Sequence, residues 1–162
     1  MTVASTAFEI RPMIDRKALD EMLRLRWSDG TIFVQGKLLS PSDVEAIGAY
    51  YDNRLQGIAT YRVERGLPYM ISMNNVTDRR GVGIALLEAM IALAREQGAP
   101  VLRVLISNDN WPAFRFYQKR GFRITTVHTG VVNMIRMMKP SVPDCGVDGI
   151  PMRDEIELEL VL

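Results

Sequence analysis

The chain has 162 residues, enough for one domain with a sizeable core, and its 48% hydrophobic and 24% charged content excludes a disordered chain. A formal net charge of +1 excludes a wholesale nucleic-acid footprint and leaves only a local basic patch at the adjacent Arg79 and Arg80. One cysteine, Cys145, and one histidine exclude an intramolecular disulfide framework and a zinc site, which suits a reducing, cytoplasmic setting.

The opening MTVASTAFEIRP lacks the charged-then-apolar order of a signal peptide, and no apolar run approaches the roughly 18 residues of a membrane span. No membrane partner is expected. FEIRPM reads as a short strand. A helix is predicted over residues 14–27, with Leu19, Met22, Leu23 and Arg26 at three- and four-residue spacings. Asp15 near its start suits the helix dipole. SDGTIFVQGKLLSPSD mixes breakers with apolar residues and reads as loop with irregular structure.

Three strands then follow in quick succession as a meander. VEAIGAYY leads through Asp52 and Asn53 to LQGIATYRVE, and Arg65 and Gly66 lead on to LPYMISMNNV. Strand gives way to helix at Gly83. Residues 84–97 are apolar almost throughout, and Glu88 and Arg95 mark one solvent stripe, so the other faces are expected against a sheet. Gly98 is a left-handed stop, with Pro100 beyond it.

VLRVLIS has the aliphatic content of a central strand. Asn110 can cap the next helix, and Pro112 is tolerated in its first turn. That helix carries Phe114, Phe116 and Tyr117 and stops at Gly121. FRITTVH resumes as strand and VVNMIRMMK as a short helix. A Pro/Gly-rich loop over 140–151 leads to the closing strand EIELELVL, with Ile156, Leu158, Leu160 and Leu162 on one face. So long a connection allows strand exchange, but a return to its own sheet is expected, with a homodimer through nearby surfaces. The whole order reads as a mixed α/β sandwich with one strand–helix–strand crossover.

DRRGVGIALLEAM, from Asp78 to Met90, stands at the entrance to the crossover helix. A helix N-terminus offers unpaired amides and about half a positive charge, so an anion gains hydrogen bonds and field there. Gly81 and Gly83 remove the Cβ atoms that would hold phosphate oxygens away and permit unusual backbone angles. Pyrophosphate is the natural guest, although glycines near helix starts are common and solvated arginine pairs ordinary. A Walker turn is excluded because no Gly-Lys-Ser/Thr follows. A Rossmann turn wants a third glycine where Leu86 stands; Asp109 could be its acid, but the turn follows an antiparallel meander.

In NDNWPAFRFYQKRGF, Asn110, Ala113, Phe116, Tyr117, Gly121 and Phe122 fit the pattern Asn-x-x-Ala-x-x-Phe-Tyr-x-x-x-Gly-Phe. With Gly81-Val82-Gly83 and Leu86-Leu87 about thirty residues upstream, this pattern resembles the GNAT superfamily of N-acetyltransferases. The motifs cover residues 74–122. The resemblance implies an α/β fold, a central mixed, mostly antiparallel sheet flanked by helices on both faces, as one domain over 1–162. It implies acetyl-CoA as cosubstrate, with no metal, and an amine acceptor on a small molecule or peptide.

The same resemblance assigns roles. Arg79, Arg80 and the amides of Gly81, Val82, Gly83, Ile84 and Ala85 would bind the pyrophosphate. Met73, Asn74, Asn75 and Val76, closing the fourth predicted strand, would pair by backbone with the pantetheine arm. One of their N–H groups would polarise the thioester carbonyl. Asn110 would bond the arm or cap its helix, Ala113 would sit on the same cofactor-binding helix, and Phe116 would pack beside the cofactor. Tyr117 would point its hydroxyl at the sulfur. In direct attack by an amine, a preorganised N–H stabilises the carbonyl oxygen by up to a few kcal/mol. A phenol with an ordinary pKa near 10 can protonate the leaving thiolate.

Two departures stand out. Asp78 occupies a place where the family usually carries Gln or Arg, and Arg79 is the available substitute. LPYMISMNNV has no acid where many relatives carry a glutamate base, which leaves Glu45, Tyr69 or a water held by Ser72 or Asn74. His128 reads as structural, Cys145 lacks the neighbours of a covalent route, and the ten methionines read first as core filler. The acceptor groove is expected from SDGTIFVQGKLL, the meander turns and the late loop. A non-catalytic acyl-CoA-binding sensor or docking module is the alternative, and a Rossmann oxidoreductase, tested by NAD, the remaining rival.

Overall fold

The computed structural model describes residues 8–26 and 30–162. It divides into two compact units, one reaching to Ile32 and resuming over Leu39–Ala99, the other comprising Phe33–Leu38 and Pro100–Leu162. The fold is mixed α/β, with a large, mostly antiparallel sheet and four α-helices. Among the described residues, no helix is long and apolar enough to cross a membrane.

The first unit opens with strand β1 (Glu9–Pro12) and helix α1 (Arg16–Arg26). Asp15 Oδ1 accepts from the Lys17 and Ala18 amides at 3.0 and 3.1 Å, a side-chain cap that fixes where α1 begins. Leu19 and Leu23, one turn apart, are fully buried. Trp27, the last residue of the predicted helix, and the Ser28 and Asp29 of the expected groove lie outside the described residues.

The segment expected to be irregular instead folds as a hairpin of β2 (Ile32–Val34) and β3 (Lys37–Leu39), followed by a 3-10 turn over Pro41–Asp43. Gln35 and Gly36 both adopt positive φ, 49° and 72°, as a tight two-residue hairpin turn requires. Three-residue strands are too short to show alternation, and Gln-Gly is a weak turn signal, so the pattern stayed hidden.

The meander forms as expected from β4 (Glu45–Tyr51), β5 (Arg54–Glu64) and β6 (Leu67–Asn75), in the order β1-β4-β5-β6. Its turns take left-handed backbone at Asp52, Asn53, Arg65 and Gly66. Helix α2 (Val82–Glu96) starts one residue before Gly83, where the change from strand to helix is expected. Its buried face is Val82, Ala85, Leu86, Leu87, Met90 and Ala94. Glu88 and Arg95 are exposed as expected, but Ile84 is 38% exposed, so the solvent stripe is wider than predicted.

Gly57 explains how α2 lies so close to β5. A Cβ there would meet Val82 Cγ1 at 2.5 Å and the Asn74 carbonyl oxygen at 3.0 Å. The next residue, Ile58, points to the opposite face, where it lines a cleft together with Met22 and Leu25 of α1. Helices therefore cover both faces of the meander.

The second unit contains β7 (Val101–Ser107), α3 (Trp111–Gln118), β8 (Arg123–His128), α4 (Val131–Met138) and β9 (Glu155–Val161). The last strand returns to its own sheet and inserts between β7 and β8, antiparallel to both. Leu102, Val104 and Ile106 oppose Leu160, Leu158 and Ile156 on the apolar face. On the other face Arg103 bonds Glu159 at 2.6 Å and reaches Glu157 at 3.8 Å. The late loop is tied down by Arg136, which donates to the carbonyls of Val142, Pro143 and Met152. Met13, Met70 and Met90 fill core as expected, whereas Met134, Met137 and Met138 of α4 are exposed.

Candidate active site

In the first unit the expected phosphate turn is an open helix N-terminus. Gly81 is the N-cap at φ 90°, a left-handed backbone that favours glycine, and no side chain among the described residues caps the helix. The Ala85 amide bonds the Gly81 carbonyl at 2.9 Å, so the Val82, Gly83 and Ile84 amides precede the first helical donor. Gly83 is inside the helix with ordinary φ, so the argument from unusual backbone applies to Gly81 alone.

The turn is clamped from below. Gln56 is buried, and its carbonyl accepts from the Val76 and Thr77 amides at 2.7 and 3.2 Å. Thr77 Oγ1 donates to Gln56 Oε1 at 2.8 Å, and the Arg79 amide donates back to Thr77 Oγ1 at 3.4 Å. The Arg79 guanidinium lies 3.5 Å over the Tyr51 ring, which holds its face and leaves its N–H edges for an anion. Arg80 and Asp78 are exposed. Sequence reasoning missed Tyr51, Gln56 and Thr77; a glutamine inside an apolar strand, beside Gly57, was the available signal.

Along β6, the Val76 amide is engaged by Gln56, so alternation turns the Asn74 amide toward β5 as well. The backbone groups of Met73 and Asn75 point away from β5. Asn74 Nδ2 donates to Ser72 Oγ at 3.3 Å, and Ser72 Oγ shares a 2.7 Å hydrogen bond with Thr60 Oγ1. Asn74, Asn75 and Val76 line a cleft of about 180 Å³ with Ile58 and with Met22 and Leu25 of α1. Of the other candidate bases, Glu45 is ion-paired with Arg16 at 3.3 Å and Tyr69 is buried.

In the second unit Asn110 Oδ1 accepts from the Ala113 amide at 3.2 Å, the capping role expected of it. Tyr117 is 4% exposed, with its ring 5.2 Å from Phe116 and 5.1 Å from Phe122. Burial pushes its phenol above the usual range, so the hydroxyl stays protonated at neutral pH. Phe116 is half-buried beneath the Arg120 guanidinium at 3.7 Å.

Asp109, weighed as a Rossmann acid, is buried and anchors the late loop by accepting from the Val147 amide at 3.0 Å. A Cβ on Gly146 would lie 1.9 Å from Asp109 Oδ2, so glycine is required beside it. His128 Nε2 stands 3.4 Å from Glu157 Oε2, and Cys145 is exposed. Among the described residues, no group of three or more potential metal ligands converges. Glu155 was missed entirely. It is 6% exposed, and burial lifts its carboxyl to about 7 against the opposing pull of a Gln35 backbone hydrogen bond and of His128.

The meander, the glycine-capped helix and the Phe-Tyr helix together place the chain among proteins of acetyltransferase fold. A Bacillus subtilis acetyltransferase in complex with CoA superposes with a TM-score of 0.73 at 22% identity, over 96% of this chain and 99% of that one. A GNAT family acetyltransferase from Elizabethkingia anophelis with acetyl-CoA bound gives 0.71 at 19%, over 98% and 100%. The model of the Acetyltransferase (GNAT) family matches residues 16–122, across both units, and the chain belongs to that family. The uncharacterized protein YxbD of Bacillus subtilis strain 168 is 29% identical over 146 residues, 90% of this chain and 92% of that protein.

Proposed function

We propose that this chain transfers the acetyl group of acetyl-CoA to a primary amine by direct attack in a ternary complex. The N-terminus of α2 carries the reading: it has no side-chain cap, opens with left-handed Gly81, and is rimmed by Arg79 stacked on Tyr51. These are donors without an acceptor, the arrangement a pyrophosphate completes. The CoA and acetyl-CoA held by the two similar structures support the same ligand here.

The residues divide the work. Arg79, Arg80 and the amides of Gly81, Val82, Gly83 and Ile84 hold the phosphates, whereas the Ala85 amide expected to join them is engaged by the Gly81 carbonyl. Met73 or Asn75 offers the backbone N–H that polarises the thioester carbonyl. Tyr117 acts as general acid. Its raised pKa keeps the donor form present, and a thiolate arising in equally apolar surroundings is itself more basic and receives the proton.

Calorimetric titration of acetyl-CoA into wild type and Gly83→Glu tests the reading, with NAD as control. Binding by wild type, weakened roughly a hundredfold or more by the glutamate, is expected, because the new carboxylate stands in the anion's place. A wild type that binds no acetyl-CoA overturns it. The absence of an acid on β6 favours a second reading, an acyl-CoA-binding module without turnover. Amine acetylation that falls with Tyr117→Phe, while acetyl-CoA affinity holds, excludes that module.

A further inference from the structure

We propose that Glu155 binds the ammonium group of the acceptor and removes its proton, serving as the base that β6 lacks. This rests on the N-acetyltransferase reading and uses residues of the second unit alone.

Glu155 starts β9, opposite Ser107 of β7 and His128 of β8. Strand alternation puts Glu155, Glu157 and Glu159 on one face. The latter two are satisfied, Glu159 by Arg103 at 2.6 Å and Glu157 by His128 at 3.4 Å and Arg103 at 3.8 Å. Glu155 differs from both. It is 6% exposed, a backbone hydrogen bond from Gln35 at the β2–β3 hairpin tip reaches its carboxylate, and Oε2 has no hydrogen-bond partner among the described residues.

A buried carboxylate oxygen left without a donor costs stability, so such atoms are uncommon and point to a missing partner. Among the described residues, His128 from β8 is the charged group that acts on Glu155; Glu157 shares its face of β9, and Arg103 from β7 is drawn to Glu157 and Glu159. Asp109 Oδ1 is a second buried oxygen without a partner, two residues beyond Ser107 at the same end of the β7–β9 pair. Unsatisfied acceptors call for a ligand rich in donors, and a primary ammonium carries three N–H groups and the complementary charge.

The proton balance is simple. An N–H bond of the ammonium breaks, an O–H bond forms on the Glu155 carboxylate, and the freed nitrogen lone pair becomes the nucleophile. Glu155 returns its proton to solvent between cycles. A carboxyl lifted to about 7 takes up and releases that proton near neutral pH, where an ordinary glutamate remains ionised.

The test titrates n-butylammonium chloride into the full chain by NMR at pH 6 and pH 8, and acetyl-CoA separately by calorimetry. The ammonium is expected to bind wild type about tenfold more weakly at pH 6, where Glu155 is mostly protonated. Glu155→Gln should weaken binding at pH 8 at least tenfold and abolish the pH dependence, with acetyl-CoA affinity unchanged. Glu157→Gln should keep most of the affinity, and His128→Asn should keep the pH dependence. Wild type that fails to bind the ammonium, binding without pH dependence, or equal binding by Glu155→Gln overturns the proposal. Ammonium binding that persists in a protein unable to bind acetyl-CoA would instead sink the acetyltransferase reading and leave Glu155 as an amine site.

Discussion

The N-terminus of α2 and the start of β9 are opposite solutions to the same problem. The first gathers donors without acceptors: an uncapped helix end, a left-handed glycine and two arginines. The second gathers acceptors without donors, in Glu155 Oε2 and Asp109 Oδ1. On the proposed reading, one region takes an anion and the other a cation. An acetyl transfer from a phosphorylated cosubstrate to an ammonium needs both, and each must carry an unsatisfied group that a protein built only for stability would pair internally.

The largest expected effect concerns the cost of Glu155. Its carboxyl is raised from 4.5 to about 7, so the folded chain holds an extra proton between those values. Stability should therefore fall as pH rises from about 4.5 to about 7 and stay level above, opposite in sign to a salt-bridged carboxylate. Urea unfolding of Glu155→Gln should show that slope removed, with a gain of up to about 3 kcal/mol at pH 8. A variant with the wild-type slope would place the pH dependence elsewhere and erase the contrast between the two regions.

Gly57→Ala sharpens the comparison from the donor side. Its Cβ collides with Val82 Cγ1 at 2.5 Å and presses on the Asn74 carbonyl oxygen, so α2 must lift from β5. A loss of about 1–3 kcal/mol is expected, with weaker acetyl-CoA binding as the amides shift. A stability loss that leaves acetyl-CoA affinity intact would show that the helix end tolerates displacement. The smallest effect is Tyr51→Leu, which removes the platform under Arg79. A drop of about twofold to fivefold in acetyl-CoA affinity, with melting temperature little changed, matches the ~0.5–1 kcal/mol of an exposed cation–π contact.

What was legible in the sequence depended on distance along the chain. The α2 turn and the Asn110–Tyr117 pattern are short runs in which helix caps and apolar spacing involve neighbours, so both were readable together with the meander. The Gln35–Gly36 hairpin was not, because its strands hold too few residues for alternation to appear. Glu155 was unreadable for a different reason. It alternates identically with Glu157 and Glu159, and only the hairpin tip, more than a hundred residues earlier, distinguishes it. Gly57 likewise acquires its meaning from Val82.

The central place of β9 among the strands of its unit has a kinetic consequence. In the meander each strand can zip onto the preceding one across a two-residue turn as soon as it exists. β7 and β8 have no such option, because the strand that joins them is formed by residues 155–161, and Val101 meets Val161 across sixty positions. Until that segment arrives, β7 and β8 carry unpaired edges, and Ile124 and Val127 offer apolar side chains beside one of them. The second unit is thus expected to order later and more slowly than the first, and its waiting interval is when the chain is most open to capture by chaperones or by other copies of itself.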